Sequence, residues 1–360
     1  MMNLEQRINA FSTLGDHMNG LLEDLESTVK QSNTDCSEWI RAMDSALLQN
    51  PWFIRENILY ALKQWAGLLN NHTLNSWIRQ YGLEHTDSQH RSTVGVVNAG
   101  NIPLVGFHDF LSVLICGHNY LGKNASDDSV LLPYIASVLQ KIAPEFSSRI
   151  SFSNKLSGFD AVIATGSNNT SRYFEYYFAK VPHIIRKNRN AVSILNGNET
   201  PNQLHQLGDD IFRYFGMGCR NVSKMYVPQG YNFDPFFESI LTFQEVMNHN
   251  KYMNNFEYNN TVYLLKTIPF LQNGFLIIKE DVSVPSPIAV VHYEYYTDQK
   301  SLLQRLAIDR EKIQCIVAAR ENELMQSNLG VLQVDFGKTQ QPSLVDYADG
   351  IDTIRFLTGF

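Results

Sequence analysis

Between Thr93 and Phe178 the chain repeats one pattern three times: a short apolar run, a turn of small residues, then apolar residues at helical spacing. Thr93-Val94-Gly95-Val96-Val97 leads through Asn98-Ala99-Gly100-Asn101-Ile102-Pro103 into a helical stretch that reaches Cys116. Tyr120-Leu121-Gly122 leads into a helix expected over 127–142, and Ala161-Val162-Ile163-Ala164 leads through Thr165-Gly166-Ser167 into a helix carrying Tyr173 and Phe178. Strands that are apolar on both faces and alternate with helices specify a mostly parallel sheet covered by helices, with ligands gathered at the carboxyl ends of the strands. A fourth strand, 191–195, is expected to close this sheet.

On the amino-terminal side, Ile8, Phe11, Leu14, Met18 and Leu21, then Trp39, Ile40, Met43 and Leu47, recur at helical spacing and predict an all-helical segment packed on the α/β region. Pro51 suits a helix start there. On the other side the alternation resumes, with a helix over 203–215, a strand over 224–227, helices between Pro235 and Ile268, and strands at 275–279, 287–293 and 314–318. The fold class is therefore α/β. A helical segment (1–90) precedes a first α/β domain (91–200), a second α/β domain (201–345) and a short tail (346–360).

Composition narrows the function. Lys plus Arg number 29 against 36 Asp plus Glu, a net charge of 29 − 36 = −7. With Arg186 to Arg189 as the densest basic cluster, that balance argues against a nucleic-acid binder, whose phosphate contacts need clustered cations. The most apolar stretch, Ile102 to Cys116, is interrupted by Pro103, Gly106, His108 and Asp109 and falls short of the roughly 18–20 residues of a membrane span. The amino terminus carries charge early and lacks a signal-like apolar run, so a cytoplasmic location is expected. Cys36, Cys116, Cys219 and Cys315 lie tens of residues apart, which leaves no CxxC metal pair and no dense disulfide framework.

Four stretches could carry chemistry. Gly216-Met217-Gly218-Cys219-Arg220 surrounds a thiol with side-chain-free positions, so an electrophilic carbonyl could reach it. A lone cysteine can equally be a small buried hydrophobe, and Cys116 and Cys315, inside apolar runs, fit that description better. Asn101, after the first strand, has an amide able to donate to an oxyanion, with Pro103 setting the first helical turn; a plain Asn-Gly turn is the alternative. Lys123 and Ser126 could hold ribose or phosphate oxygens, or Ser126 or Asp127 could simply cap a helix. Gly166 and Ser167 precede a helix whose N–H groups could face a pyrophosphate. His108 reads as a structural histidine and His118 as a turn residue. GxGxxG, the P-loop, HExxH and GxSxG are all absent.

The order of these stretches resembles the aldehyde dehydrogenase superfamily. Ala99-Gly100-Asn101-Ile102-Pro103-Leu104-Val105-Gly106-Phe107, with Leu114 to Lys123 after it, looks like the bacterial acyl-CoA reductase family, the branch that contains the long-chain fatty acid reductase of bioluminescence. The resemblance runs from about Val94 to Val227. It implies an aldehyde-dehydrogenase-like fold in which 91–200 binds a dinucleotide and 201–345 is catalytic. It further implies that Cys219 accepts the acyl group, that Asn101 and the Cys219 backbone N–H form the oxyanion hole, that Lys123 and Ser126 contact the adenine ribose, and that Gly166 and Ser167 form the pyrophosphate turn. The implied cofactor is NADPH, or NADH, and the substrate a long-chain acyl-CoA. A homo-oligomer, or an enzyme that accepts the aldehyde, is the kind of partner that such an activity implies. Acyl transfer or thioester hydrolysis at the same cysteine, and a non-catalytic partner protein, are the competing readings. Two departures stand out. Where hydrolytic aldehyde dehydrogenases place a Glu ahead of a Gly-Gly-Lys turn, this chain has Ile184-Ile185-Arg186-Lys187-Asn188, and in place of Glu-x-Phe-Gly-Pro it has Ser283-Val284-Pro285-Ser286-Pro287.

Overall fold

In the computed structural model, which describes residues 2–26, 34–83, 91–319 and 330–360, four helices precede the first strand. They are α1 (Leu4–Glu26), α2 (Thr34–Gln49), α3 (Arg55–Leu68) and α4 (Asn71–Arg79). The apolar stripe of α1 is buried as its spacing requires, and Phe11 meets Phe110 and Phe146 edge-on at 6.3 and 5.9 Å. Each such fully buried side chain contributes about 1.5–3 kcal/mol. Gly15 lets α1 press against Leu69, whose carbonyl oxygen would lie 2.1 Å from an added Cβ. Pro51 does not open a helix. It lies in the turn between α2 and α3, which starts at Arg55.

The strands and helices of the next stretch are β1 (Thr93–Val97), α5 (Phe107–Ile115), β2 (Asn119–Lys123), α6 (Leu131–Ile142), β3 (Ile150–Phe152), β4 (Ala161–Thr165), α7 (Asn168–Tyr177) and β5 (His183–Arg186). Their five strands form one parallel sheet in the order β3-β2-β1-β4-β5. The chain runs outward from β1 through β2 to β3, then returns to the other side of β1 with β4. That reversal is the topological switch point at which open parallel sheets bind ligands. Arg7 of α1 is buried and donates through Nε to the Ile115 carbonyl at the end of α5, giving that helix terminus a cation. Burial, then Arg149, lowers the Arg7 pKa to about 10.

The remaining elements are β6 (Asn190–Ile194), α8 (Pro201–Phe212), β7 (Val222–Pro228), α9 (Asp234–Ser239), α10 (Asn250–Leu265), β8 (Leu271–Gln272), β9 (Ile277–Glu280), β10 (Val290–Tyr296), α11 (Gln299–Asp309), β11 (Ile313–Val317), β12 (Leu332–Val334) and α12 (Thr353–Leu357). Seven strands make a second sheet, β12-β11-β6-β7-β10-β9-β8, parallel except for the pairing of β8 with β9. Val192, Ile194, Tyr226, Leu302 and Ile316 are core residues of one cluster here.

Two compact units result: residues 1–187 with Ser343–Tyr347 and Ile351–Phe360, and Asn188–Pro342 with Ala348–Gly350. The strand expected at 191–195 to close the first sheet is β6, and it pairs instead with β7 and β11 in the second. An apolar strand carries no mark of which sheet it joins, so the break falls at Lys187 rather than near 200. The tail is likewise divided. Tyr347 accepts from Trp77 Nε1 at 2.8 Å, and Arg186 at the end of β5 binds both Asp109, in a buried ion pair, and the Thr353 hydroxyl at 3.0 Å. Arg186 is thus an internal tether, not part of a surface basic patch.

Candidate functional site

In the first unit, β1 lies between β2 and β4, so the three loops leaving their carboxyl ends are neighbours. The first loop is pinned at its base: Asn98 N–H donates to the Lys123 carbonyl at 2.9 Å, and its side-chain amide donates to the Tyr120 hydroxyl and to Asn124 Oδ1, each at 2.8 Å. An added Cβ on Gly106 would fall 2.3 Å from Asn98 Oδ1, and one on Gly100 would fall 2.7 Å from the Ala125 methyl. Both glycines are therefore demanded by close approach. The Asn101 side chain is half-buried on this loop. Pro103 does not open α5. Leu104 is left-handed at φ 60°, the turn closes with Phe107 N–H on the Leu104 carbonyl, and the helix begins at Phe107.

The helical segment reaches both loops, which no local pattern announces. Asn50, buried, donates to the Gly100 carbonyl at 3.3 Å, and Gln49 donates to the Ser126 carbonyl at 2.7 Å and to Ser129 Oγ at 2.8 Å. Lys123 is exposed at the end of β2. Ser126 donates to the Asp127 carboxylate at 2.6 Å and caps nothing, because α6 begins only at Leu131. Asp128 is the unexpected member. It is 8% exposed, packs under Gly100, and its Oδ1 has no hydrogen-bond partner. Burial, and then the charge of Asp127, raises its pKa to about 7.

After β4, Ser167 is the N-cap of α7: its hydroxyl accepts from Thr170 N–H at 3.2 Å. Gly166 brings the strand end onto the helix, since an added Cβ would lie 2.9 Å from the Phe174 ring and 3.1 Å from Thr170 Cβ. The structure thus brings Asn101, Lys123, Ser126, Gly166 and Ser167 to one edge of the first sheet. The Lys123 ammonium and the amino end of a ten-residue helix suit the phosphate oxygens of a dinucleotide and so fit the implied cofactor, while the Ser126 and Ser167 hydroxyls are engaged by Asp127 and Thr170. Among the described residues, no group of three or more His, Cys, Asp or Glu could hold a metal ion.

Cys219 belongs to the second unit. Helix α8 opens with a capping box between Thr200 and Gln203 and ends at Phe212 because Tyr214, Phe215 and Gly216 are left-handed, at φ 54°, 57° and 76°. The helix expected to reach Phe215 stops there. A non-glycine residue pays about 1–2 kcal/mol for that conformation, so two in succession need outside support. Next comes a four-residue turn, Gly218-Cys219-Arg220-Asn221, closed by Asn221 N–H on the Gly218 carbonyl at 3.0 Å, and then β7. Cys219 is half-buried on this turn, whereas Cys116 and Cys315 are buried at 7% and 0% exposure, and burial pushes the Cys116 thiol up to about 12.

Two histidines and one further loop complete the comparison with the sequence. His108 sits among Trp65, Trp77 and Tyr347 and bonds the Leu344 carbonyl at 3.0 Å, a structural histidine. His118 is more than a turn residue: its Nδ1 accepts from Ser92 N–H, so Nε2 donates to the Leu357 carbonyl at 2.8 Å and anchors α12. The loop at Ser283 is stitched by its backbone, with the Val284 carbonyl accepting from Ser223 Oγ at 2.7 Å and the Ser283 N–H donating to Asp281 at 2.8 Å. Burial opposes ionisation of Asp281, but the bonds from Lys279 and Ser283 prevail and hold its carboxyl below the usual range.

No protein-family model and no curated protein sequence matches the chain. Solved structures do. The chain is similar to aldehyde dehydrogenase 21 of Physcomitrella patens in complex with the reaction product succinate, at 13% identity and TM-score 0.68, over 100% of this chain and 84% of that one. It is similar to the NAD+ complex of an aldehyde dehydrogenase from Bacillus cereus, at 13% identity and TM-score 0.61 over 93% and 77% of the two chains. An NADP-dependent enzyme of E. coli aligns at 12% identity and TM-score 0.60, again over 93% of this chain and 77% of that one. At such identities the likeness is one of architecture: the chain has an aldehyde-dehydrogenase-like α/β fold with a helical amino-terminal segment.

Proposed function

We propose that the protein is an acyl-CoA reductase that takes a long-chain acyl thioester to the aldehyde through a thioacyl group on Cys219, using NADPH or NADH. The observation that carries this reading is the half-buried thiol on a tight turn, in a fold shared with aldehyde dehydrogenases, while Cys116 and Cys315 are sealed in the core and the half-buried Cys36 lies on helix α2. Cys219 loses its proton, its sulfur bonds to the thioester carbonyl carbon, and the CoA thiolate departs with a proton. The Cys219 backbone N–H is a donor for the charge that develops on the carbonyl oxygen, and the resemblance to the acyl-CoA reductases assigns Asn101 the same role. When bound, a reduced nicotinamide supplies hydride chemistry to the acyl carbon. Lys123, Ser126, Gly166 and Ser167 hold and orient that nucleotide. Strand β5 contributes no carboxylate that would activate water: Ile184 is buried and Arg186 is engaged by Asp109. The lack of that base suits an enzyme that must not hydrolyse its thioester.

Intact-mass measurement after mixing the protein with palmitoyl-CoA tests the reading. One acyl adduct is expected on the wild type and none on Cys219→Ala, and added NADPH or NADH should be oxidised as the adduct disappears and aldehyde forms. Release of free CoA without consumption of either nucleotide would replace reduction by acyl transfer or hydrolysis, and an adduct that survives in Cys219→Ala would remove the assigned nucleophile. A wild type that takes up neither acyl group nor nucleotide would favour a non-catalytic partner protein.

A further inference from the structure

We infer that Asn221 is the positioning residue that holds the Cys219 turn in its reactive shape; the inference rests on the reading of Cys219 as the acyl acceptor. Asn221 is 1% exposed, and every polar atom of its side chain is committed to backbone. Its Oδ1 accepts from Gly218 N–H at 2.8 Å, while its own N–H donates to the Gly218 carbonyl at 3.0 Å. Gly218 is therefore held at both ends by one residue, and Cys219 stands between the two.

The same side chain faces the other way through Nδ2, which donates to the carbonyls of Arg213 at 2.8 Å and Asp210 at 3.0 Å, with Ile211 at 3.4 Å as a longer third contact. These carbonyls end α8 just before the left-handed run Tyr214-Phe215-Gly216. Asn221 thus ties the end of that helix to the amino side of the cysteine. Its carbonyl in turn accepts from Ala191 N–H at 3.0 Å, which fixes the turn to β6. The amide orientation is set by its surroundings, since one side offers a donor and the other only acceptors. An acceptor and a donor on one short planar group are what the gap requires. Catalytic geometry of this kind is lost when a reacting group moves by about 1 Å.

The test compares the wild type with Asn221→Ala and with Asn221→Ser, which keeps an oxygen for Gly218 N–H and one donor. Two readouts are taken on the full-length chain after urea unfolding has shown each variant folded: the saturation curve for acylation of Cys219 by palmitoyl-CoA, and the pH profile of its alkylation by iodoacetamide. The maximal acylation rate should fall at least tenfold in Asn221→Ala and less in Asn221→Ser, with the half-saturating concentration unchanged, and the alkylation profile of Asn221→Ala should shift. A folded Asn221→Ala that acylates at the wild-type maximal rate, or weakens only half-saturation, overturns the inference. If Asn221→Ala does not fold, the same criteria apply to Asn221→Ser. Should the wild type itself refuse the acyl group, the proposed function fails, and a wild-type alkylation profile in the Asn221 variants then separately overturns the positioning role.

Discussion

Asp128 gives the fold a stability cost that rises with pH. Its carboxyl lies under the Gly100 loop with an unpartnered Oδ1, and burial followed by the charge of Asp127 moves its pKa from 3.8 to about 7. Because the folded state holds the proton more tightly than the unfolded chain, the contribution is fully present below the ordinary value and is lost as pH rises toward 7. The move from 3.8 to about 7 corresponds to roughly 4 kcal/mol in all, of which about 3 kcal/mol falls between about pH 5 and about pH 8. An asparagine at this position would mimic the protonated acid at every pH, so Asp128→Asn should gain stability over the wild type by about that amount between the two pH values. Urea unfolding followed by tryptophan fluorescence is suited to the measurement. Trp39, Trp52, Trp65 and Trp77 all lie in the unit that contains Asp128, so the signal comes from that unit. Other titrating groups, including Asp210 and the two histidines His118 and His292, are common to both proteins and cancel in the difference. Parallel stability–pH curves for the two proteins would refute the argument that this carboxyl is forced to ionise inside the fold.

Asp109→Ala strands the buried Arg186 guanidinium, and removing one member of such a pair costs about 3–5 kcal/mol, read as a lower urea midpoint in the same fluorescence signal. Asn101→Ala should slow acylation of Cys219 by about ten- to a thousandfold if its amide is an oxyanion donor, and an unchanged single-turnover rate would remove it from that role. Gly166→Val forces side-chain atoms against Phe174 and Thr170, an overpacking of about 1–3 kcal/mol, and should also weaken NADPH binding measured by titration calorimetry. Cys116→Ala should lower the urea midpoint by a cavity cost while leaving acylation of Cys219 at the wild-type rate, since that thiol is sealed in the core at the end of α5.

Much of the architecture was legible from local pattern. β1 and β4 bury near-continuous apolar runs and the amino-terminal helices bury apolar stripes, and those are properties of neighbouring residues. Elements with little to bury escaped the pattern: β3, β8 and β12 are two or three residues long, and β5 reads as four residues with alternating exposure. The early end of α8 was hidden as well, because Tyr214 and Phe215 are ordinary residues in an uncommon backbone conformation, and the Arg213 carbonyl just before them is held by Asn221 from eight positions away.

The candidate site divides in the same way. Asn101, Lys123, Ser126, Gly166, Ser167 and Cys219 stand beside strand ends or small-residue turns, which is what makes them candidates in the sequence. Asn50 on the Gly100 carbonyl, Gln49 on Ser126, Asn221 on the end of α8 and Asp128 beneath the first loop were not visible, nor was the allegiance of β6 to the second sheet. Periodicity and turn chemistry are written between residues a few positions apart, and the chain alone decides them. A hydrogen bond from a buried amide to a backbone carbonyl tens of residues distant, the protonation state of an enclosed carboxyl, and the choice of neighbour for an apolar strand exist only once distant segments have met, and those the tertiary structure decided.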